Sequence, residues 1–249
     1  MKKEYLSCTN CNQTDCLINK NCTGKWKSKI SEHKPVIFYK KGQSIFCENS
    51  FVYGMYFIYQ GKVKVFNTGG NEKQHILRLA GSGEMLGMRA YAEKKYRVSC
   101  TALEDTTVCF IDKAVFIQSV KENPEMSLAL IHNYAHTLSL MDLRQKHLAQ
   151  FCSRDRVAEA LLLIKKHFGK ETKEGTLLDV NLSRQEIADL AGTAMEETNR
   201  ILGVLKKEEI ITFITLPKKI VINNSRKLHE MILDNYDNIY QQECCEILF

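Results

Sequence analysis

The sequence predicts an α+β protein built in three successive parts: an N-terminal β-roll (a double-stranded β-helix or jelly roll), a long dimerisation helix and a C-terminal winged helix-turn-helix. Three observations carry this expectation. Leu182–Ile210 reads as two short helices joined at Gly192. Between Val36 and Asp112 the runs IFY, SIF, MYFIYQ, KVKVF, HILRLA and TVCFI are separated by glycine-bearing turns, which is the pattern of a sandwich or roll. Asn123–Pro124 then opens a helical stretch that reaches about Cys152. The resulting division is a cysteine-rich arm (1–30), an effector-sensing β-roll (31–122), a dimerisation helix (123–153), a winged-helix DNA-binding domain (154–228) and a tail (229–249).

The arm carries Cys8, Cys11, Cys16 and Cys22 as C-x2-C-x4-C-x5-C. Four thiolates so close in sequence can wrap one soft metal centre, because thiolates are preferred ligands of iron–sulfur clusters and zinc. Zinc ordinarily takes paired C-x2-C knuckles, and only half of that pattern is present. A site without metal is the third alternative. No apolar run approaches the length of a membrane span and no signal peptide opens the chain, so the expected compartment is the cytoplasm. That compartment keeps thiols reduced, which argues against a disulfide scaffold for the ten cysteines. Cys47, Cys100 and Cys152 read as small buried apolar residues.

In the long helix Ile131, Tyr134, Leu138, Met141 and Leu148 recur at spacings of three and four, with Gln145 in the remaining slot. This is a coiled-coil seam. Burial inside one core is the plainer alternative. A second copy is the expected partner, because one helix-turn-helix reads too few base pairs for useful specificity.

The helix-turn-helix is written locally. Ser183 and Glu186 form a capping box that starts the first helix. Ile187, Leu190 and Ala191 supply its buried face, and Gly192 suits a turn that needs positive φ. In the second helix Met195, Ile201, Leu202 and Leu205 are expected inward, leaving Glu196, Asn199 and Arg200 on the outer face. Arg can donate twice to a guanine edge, Glu can accept from cytosine, and Asn can bridge bases or hold a phosphate. An ordinary Glu196–Arg200 surface ion pair is the bland alternative. Ser183 and Arg184, at the start of the first helix, complete the expected DNA-facing set together with the wing. The wing is Ile210–Ile222, two β-rich runs flanking Leu216–Pro217–Lys218–Lys219, whose lysines would lie along the phosphates. The net charge of +6 suits a phosphate-bearing partner. Neither a phosphate-binding glycine loop nor a nucleophile–base pair stands out, so no enzyme is expected. His132 and His136 share a helical face without further ligands.

With these parts in this order, the chain resembles the CRP/FNR family of bacterial transcription regulators from Lys40 to about Asn223. The matching segments are KGQSIF at Lys41–Phe46, IYQGKVKV at Ile58–Val65, ALEDTTVCFID at Ala102–Asp112 and LSRQEIADLAGTAMEETNRILG at Leu182–Gly203. The resemblance implies a homodimer on a palindromic promoter site in double-stranded DNA, contacting RNA polymerase to activate or repress. In the FNR branch the reading helix carries E-x-x-S-R, whose Glu and Arg read a TTGA-type half-site. Glu196 and Arg200 match, and Asn199 stands at the serine position.

Two family effectors follow from the resemblance. The cyclic-nucleotide cassette places a ribose-binding Glu and a phosphate-binding Arg in the stretch corresponding to Leu86–Cys100. Gly87 fits, Met88 stands where the Glu belongs, and Arg97 is followed by Val98–Ser99 out of register. Cyclic-nucleotide binding is therefore not expected. The other effector is an iron–sulfur cluster, held in FNR proteins by an N-terminal cysteine group and one cysteine in the roll, where Cys109 stands. The expected ligands of a [4Fe–4S] cluster are Cys8, Cys11 and Cys16, with Cys22 or Cys109 as the fourth.

Overall fold

The computed structural model describes residues 6–88, 92–215 and 218–233. The chain forms two compact units, Met1–Asn67 with Ala80–Ala135, and Thr68–Leu79 with His136–Phe249. The expectations on Leu216 and Pro217 at the wing tip, on Arg89–Tyr91 in the cassette, and on the tail from 234 onward lie outside the described residues.

The first unit begins with two helices in the arm, α1 (Leu17–Asn21) and α2 (Gly24–His33); α2 runs past residue 30. Then come β1 (Val36–Tyr39), β2 (Ser44–Phe46), β3 (Gly54–Gln60), β4 (Val63–Thr68), β5 (Gln74–Ala80), which but for Ala80 is counted with the second unit, β6 (Met85–Leu86), β7 (Ser99–Ala102) and β8 (Thr106–Asp112). They make two antiparallel four-stranded sheets, in the orders β1-β8-β3-β6 and β2-β7-β4-β5. α3 (Lys113–Glu122) follows, started by Asp112, whose carboxylate accepts from the Ala114 amide. α4 (Pro124–Gln150) starts with proline, whose missing N–H costs nothing at a helix start.

The central strands β3 and β8 of the first sheet carry buried residues on both faces, which explains their nearly continuous apolar text, whereas edge strand β1 exposes Val36 and Phe38. Side chains alternate along a strand. Ile58 and Val108 therefore face the core between the sheets, with Ile45, Phe46, Leu86 and Tyr96. Their neighbours Phe57 and Cys109 face the opposite core, with Cys8, Leu17, Ile18, Cys22, Trp26 and Ile30 of the arm and Met126 of α4. Burying the Leu17, Ile18, Trp26 and Ile30 side chains contributes about 1.5–3 kcal/mol each before ordering costs, enough to hold the arm on the sheet.

The second unit contains α5 (Ser153–Phe168), β9 (Gly169–Thr172), β10 (Gly175–Leu178), α6 (Arg184–Ala191), α7 (Met195–Lys207), β11 (Ile211–Ile214), β12 (Lys219–Ile222) and α8 (Ser225–Leu233). The hairpin β9–β10 extends the wing into one sheet, order β11-β12-β10-β9. α8 packs on α5 and buries Leu228 and Ile232. Neither the hairpin nor α8 was expected from the sequence. Both are short, and each buries its apolar side only because another element lies beneath it.

Two cysteine expectations are corrected. Cys100 is buried, but Cys47 and Cys152 are exposed. Cys152 is the N-cap of α5, with its thiol directed to Asp155 Oδ2 at 3.1 Å, a polar partner on the exposed first turn rather than a core contact.

Candidate DNA-binding surface and cysteine site

The reading motif forms as its local chemistry dictates. The Ser183 hydroxyl accepts from the Glu186 amide at 3.1 Å, and the Glu186 carboxylate accepts from the Ser183 amide at 2.8 Å, closing the capping box. Gly192 ends α6 at φ 64°, ψ 40°, the left-handed region where side chains cost about 1–2 kcal/mol. Gly192→Val is accordingly expected to lower stability by about that amount, with Gly192→Asn less harmful; urea unfolding of the two variants checks the order.

On α7, Ile201, Leu202 and Leu205 are buried. Met195 is not: it is exposed, and Thr198 takes the inner position, its hydroxyl donating to the Ala194 carbonyl at 3.0 Å. Met195 is the first residue of the helix, beyond the edge of the surface α7 packs against. Glu196, Asn199 and Arg200 are exposed, as three neighbours on one face. The surface ion pair that does form is Arg200 with Glu197, a fork of 2.8 and 2.6 Å. Each partner stabilises the other's charge: Glu197 lies below the usual carboxylate range, first through the hydrogen bond from Arg200, and Arg200 lies above the usual guanidinium value for the same reason. Glu197 sits one turn before Arg200 and was legible as a partner by spacing alone. Glu196 is left facing outward without that ion pair.

Around this helix, Arg184 stacks over the Phe213 ring of β11 at 4.3 Å, and Lys206 approaches the same ring at 5.7 Å. Arg184 thus ties the start of α6 to the wing. Lys218 is exposed, whereas the Lys219 ammonium pairs with Asp179, which also holds Lys170.

On α4, Ile131 and Leu138 are 60% and 58% exposed, and Leu128, Met141 and Leu148 are exposed beside them, with Gln145. Tyr134 is turned inward, its phenol donating to the Met88 carbonyl.

The five candidate metal ligands converge in the first unit. Cys8, Cys22 and Cys109 share one buried cluster, Cys16 packs against it, and Cys11 lies within electrostatic range of Cys8, Cys16 and Cys109. Burial is the largest influence and pushes the thiols of Cys8, Cys16 and Cys109 up; Cys22 is pushed up to about 12. Without a metal these groups are thiols at neutral pH, and a bound cation must displace their protons. Among the described residues no three His, Cys, Asp or Glu side chains form a group able to hold a single metal ion. A tetrahedral zinc, with Zn–S near 2.3 Å, would need sulfurs about 3.8 Å apart. A cluster spreads its thiolates wider, since each binds a different iron. The donor set, all sulfur and half-buried or deeper, fits such a group in chemistry. Two helix-borne contacts frame it: the Cys22 thiol donates to Met126 Sδ at 3.3 Å, and the Lys34 ammonium donates to Cys109 Sγ at 3.3 Å. Lys34 carried no signal in the sequence.

In the cassette stretch, the Arg97 side chain is 78% exposed and bonded to Glu93 at 3.4 Å. Inside the roll Phe46 stacks on Tyr96, ring centroids 4.2 Å apart, within the buried cluster that includes Ile58, Leu86 and Val108.

A β-roll followed by a long helix and a winged helix-turn-helix with an exposed reading face defines a DNA-binding regulator with a sensing domain. Residues 36–123 match the cyclic nucleotide-binding domain family, and residues 155–231 match the Crp-like helix-turn-helix domain family. A Cyclic AMP receptor protein of Thermus thermophilus is 29% identical over 174 residues, covering 70% of this chain and 77% of its own length. An Anaerobic regulatory protein of Bacillus subtilis is 25% identical over 170 residues, covering 64% and 67% respectively. The structure of FixK2 from Bradyrhizobium japonicum superposes with a TM-score of 0.70 at 20% identity, covering 80% of this chain and 96% of that one. The chain belongs to the CRP/FNR family of transcription regulators. It is a DNA-binding regulator and not an enzyme.

Proposed function

We propose that this regulator is a cytoplasmic homodimer that binds a palindromic promoter site, contacts RNA polymerase and responds to oxygen, nitric oxide or redox state through a [4Fe–4S] cluster on the arm cysteines. The observation that carries the sensor reading is that Cys8 and Cys22 of the arm share one buried cluster with Cys109 of β8, with the half-buried Cys16 packed against it and Cys11 nearby. Cys8, Cys11 and Cys16 would hold the cluster, with Cys22 or Cys109 as fourth ligand. When bound, such a cluster supplies a group that oxidants degrade, and so a chemical basis for sensing. The protein's own residues then carry the consequence. Cys22 touches Met126, the Thr23 amide donates to Asn123 Oδ1 at 2.9 Å, and Trp26 Nε1 donates to Glu122 at 3.0 Å. The arm is thereby latched to the start of α4. The apolar row Leu128, Ile131, Leu138, Met141 and Leu148 on α4 supports pairing with a second copy. Groove docking depends on the spacing of two reading helices, so a shift at the start of α4 is a route to changed DNA affinity.

Cyclic nucleotide is the less favoured effector. Arg97 points outward onto Glu93, Met88 replaces the ribose-binding carboxylate, and aromatic rings occupy the roll interior. Anaerobic purification with iron and sulfide reconstitution should yield a brown protein whose visible absorption bleaches in air. A colourless product without iron sinks the cluster reading. Zinc bound in its place would support the tetrahedral-thiolate alternative.

A further inference from the structure

We propose that Lys34 is the positive counter-charge and hydrogen-bond donor for the thiolate of Cys109, and that it positions and tunes the metal centre held by this cysteine group. The inference rests on the reading of that group as a metal centre.

Lys34 follows α2 as its C-cap and is only 7% exposed. Its ammonium lies 3.3 Å from Cys109 Sγ, and its field also reaches Cys8. One turn earlier, the Ser31 hydroxyl accepts from the Cys8 amide at 2.8 Å while donating to the Lys27 carbonyl at 2.6 Å. The end of α2 therefore presents a cation and a hydroxyl to two cysteines from separate segments of chain. Among the described residues no carboxylate pairs with Lys34. A buried ammonium without an anion is costly, and a well-packed apolar side chain would be more stable at the same place. A neutral thiol offsets little of that cost, being a weak acceptor. Metal-bound thiolates carry the missing negative charge. The lysine thus makes physical sense in the metal-loaded protein and is a liability in the metal-free one.

Hydrogen bonds and positive charge at the cluster sulfurs raise its reduction potential. The test uses the full-length chain, its Lys34→Met variant and its Lys34→Arg variant, each reconstituted anaerobically with iron and sulfide. Iron per chain, midpoint potential, bleaching half-life in air and the melting temperature of the metal-free form are measured. Reconstituted Lys34→Met should have a more negative midpoint and bleach severalfold faster, with Lys34→Arg close to wild type. Its metal-free form should melt higher than metal-free wild type, because the desolvated charge is gone. Wild type that takes up no iron overturns the metal-centre reading itself. Wild type that takes up iron, while Lys34→Met leaves potential and bleaching unchanged, overturns only the role of Lys34. A metal-free Lys34→Met that melts lower than wild type also overturns it, since the ammonium would then be satisfied without metal.

Discussion

Replacing Arg200 by alanine is expected to reduce discrimination between a specific half-site and random DNA by about 1–3 kcal/mol, with the effect doubled on a two-half-site operator. The reason is geometric. Arg200 stands outside the packed face of α7, four residues after Glu196 and beside Asn199, and the two parallel donors of its guanidinium match the two acceptors of a guanine edge. In the free protein those donors sit on Glu197, so engaging a base means exchanging one fork for another. Because the side chain supports no core contact, the variant should unfold at the same urea concentration as wild type. Lys218→Ala is the contrast: an exposed lysine on the wing would touch phosphate, so its loss should weaken specific and random DNA alike and flatten the salt dependence. Anisotropy titrations on both DNAs at several salt concentrations separate the two. Equal losses on specific and random DNA for Arg200→Ala would contradict base reading.

The second large effect is expected at Arg144. This half-buried residue of α4 lies in the second unit; one guanidinium nitrogen donates to the Leu77 carbonyl at 3.1 Å, and the other donates both to the Ile76 carbonyl at 3.2 Å and to the carbonyl of Leu190 near the end of α6. Next to it His75 Nδ1 meets the carbonyl of Asp189 at 3.1 Å. Helix ends leave carbonyls without partners, and here a guanidinium and an imidazole from elsewhere in the unit supply them. Burial holds the Arg144 guanidinium below its ordinary value, yet it remains charged in any usable buffer. Arg144→Met should therefore cost about 2–4 kcal/mol, from three charge-assisted hydrogen bonds lost in a partly dry setting. Urea unfolding of wild type and variant measures it, and a loss below about 0.5 kcal/mol would show that water replaces the guanidinium without penalty. The same place has a pH signature. His75 is held below the ordinary imidazole value, first by burial and then by Arg144. The unfolded chain then binds the proton more readily, so this contribution is present above the free imidazole value and is lost as pH falls from there through the lower folded value.

Much of the DNA-facing half was legible because its determinants are neighbours in the chain. Ser183 and Glu186 meet across one turn, Gly192 satisfies its own backbone, and the spacing of Ile201, Leu202 and Leu205 sets the buried face of α7. The wing strands were legible by the same short-range pattern. Met195 was misassigned because periodicity says which residues share a face but not where the face stops. Tyr134 fits the α4 row by spacing, but its phenol found a carbonyl at Met88 and turned inward.

The amino-acid order by itself determined the capping, turning and alternation of each element, since those depend on contacts within about four residues. Residue parity along β8 already separated Cys109 from Val108, but only the folded chain decided that the side holding Cys109 would be the one covered by the arm. Tertiary packing alone brought Lys34 to a thiol seventy-five positions away, and it alone carried Arg144 to carbonyls in two distant segments. The physical reason is that a long-range partner is chosen by the burial of entire surfaces, and no local pattern records which surfaces those will be.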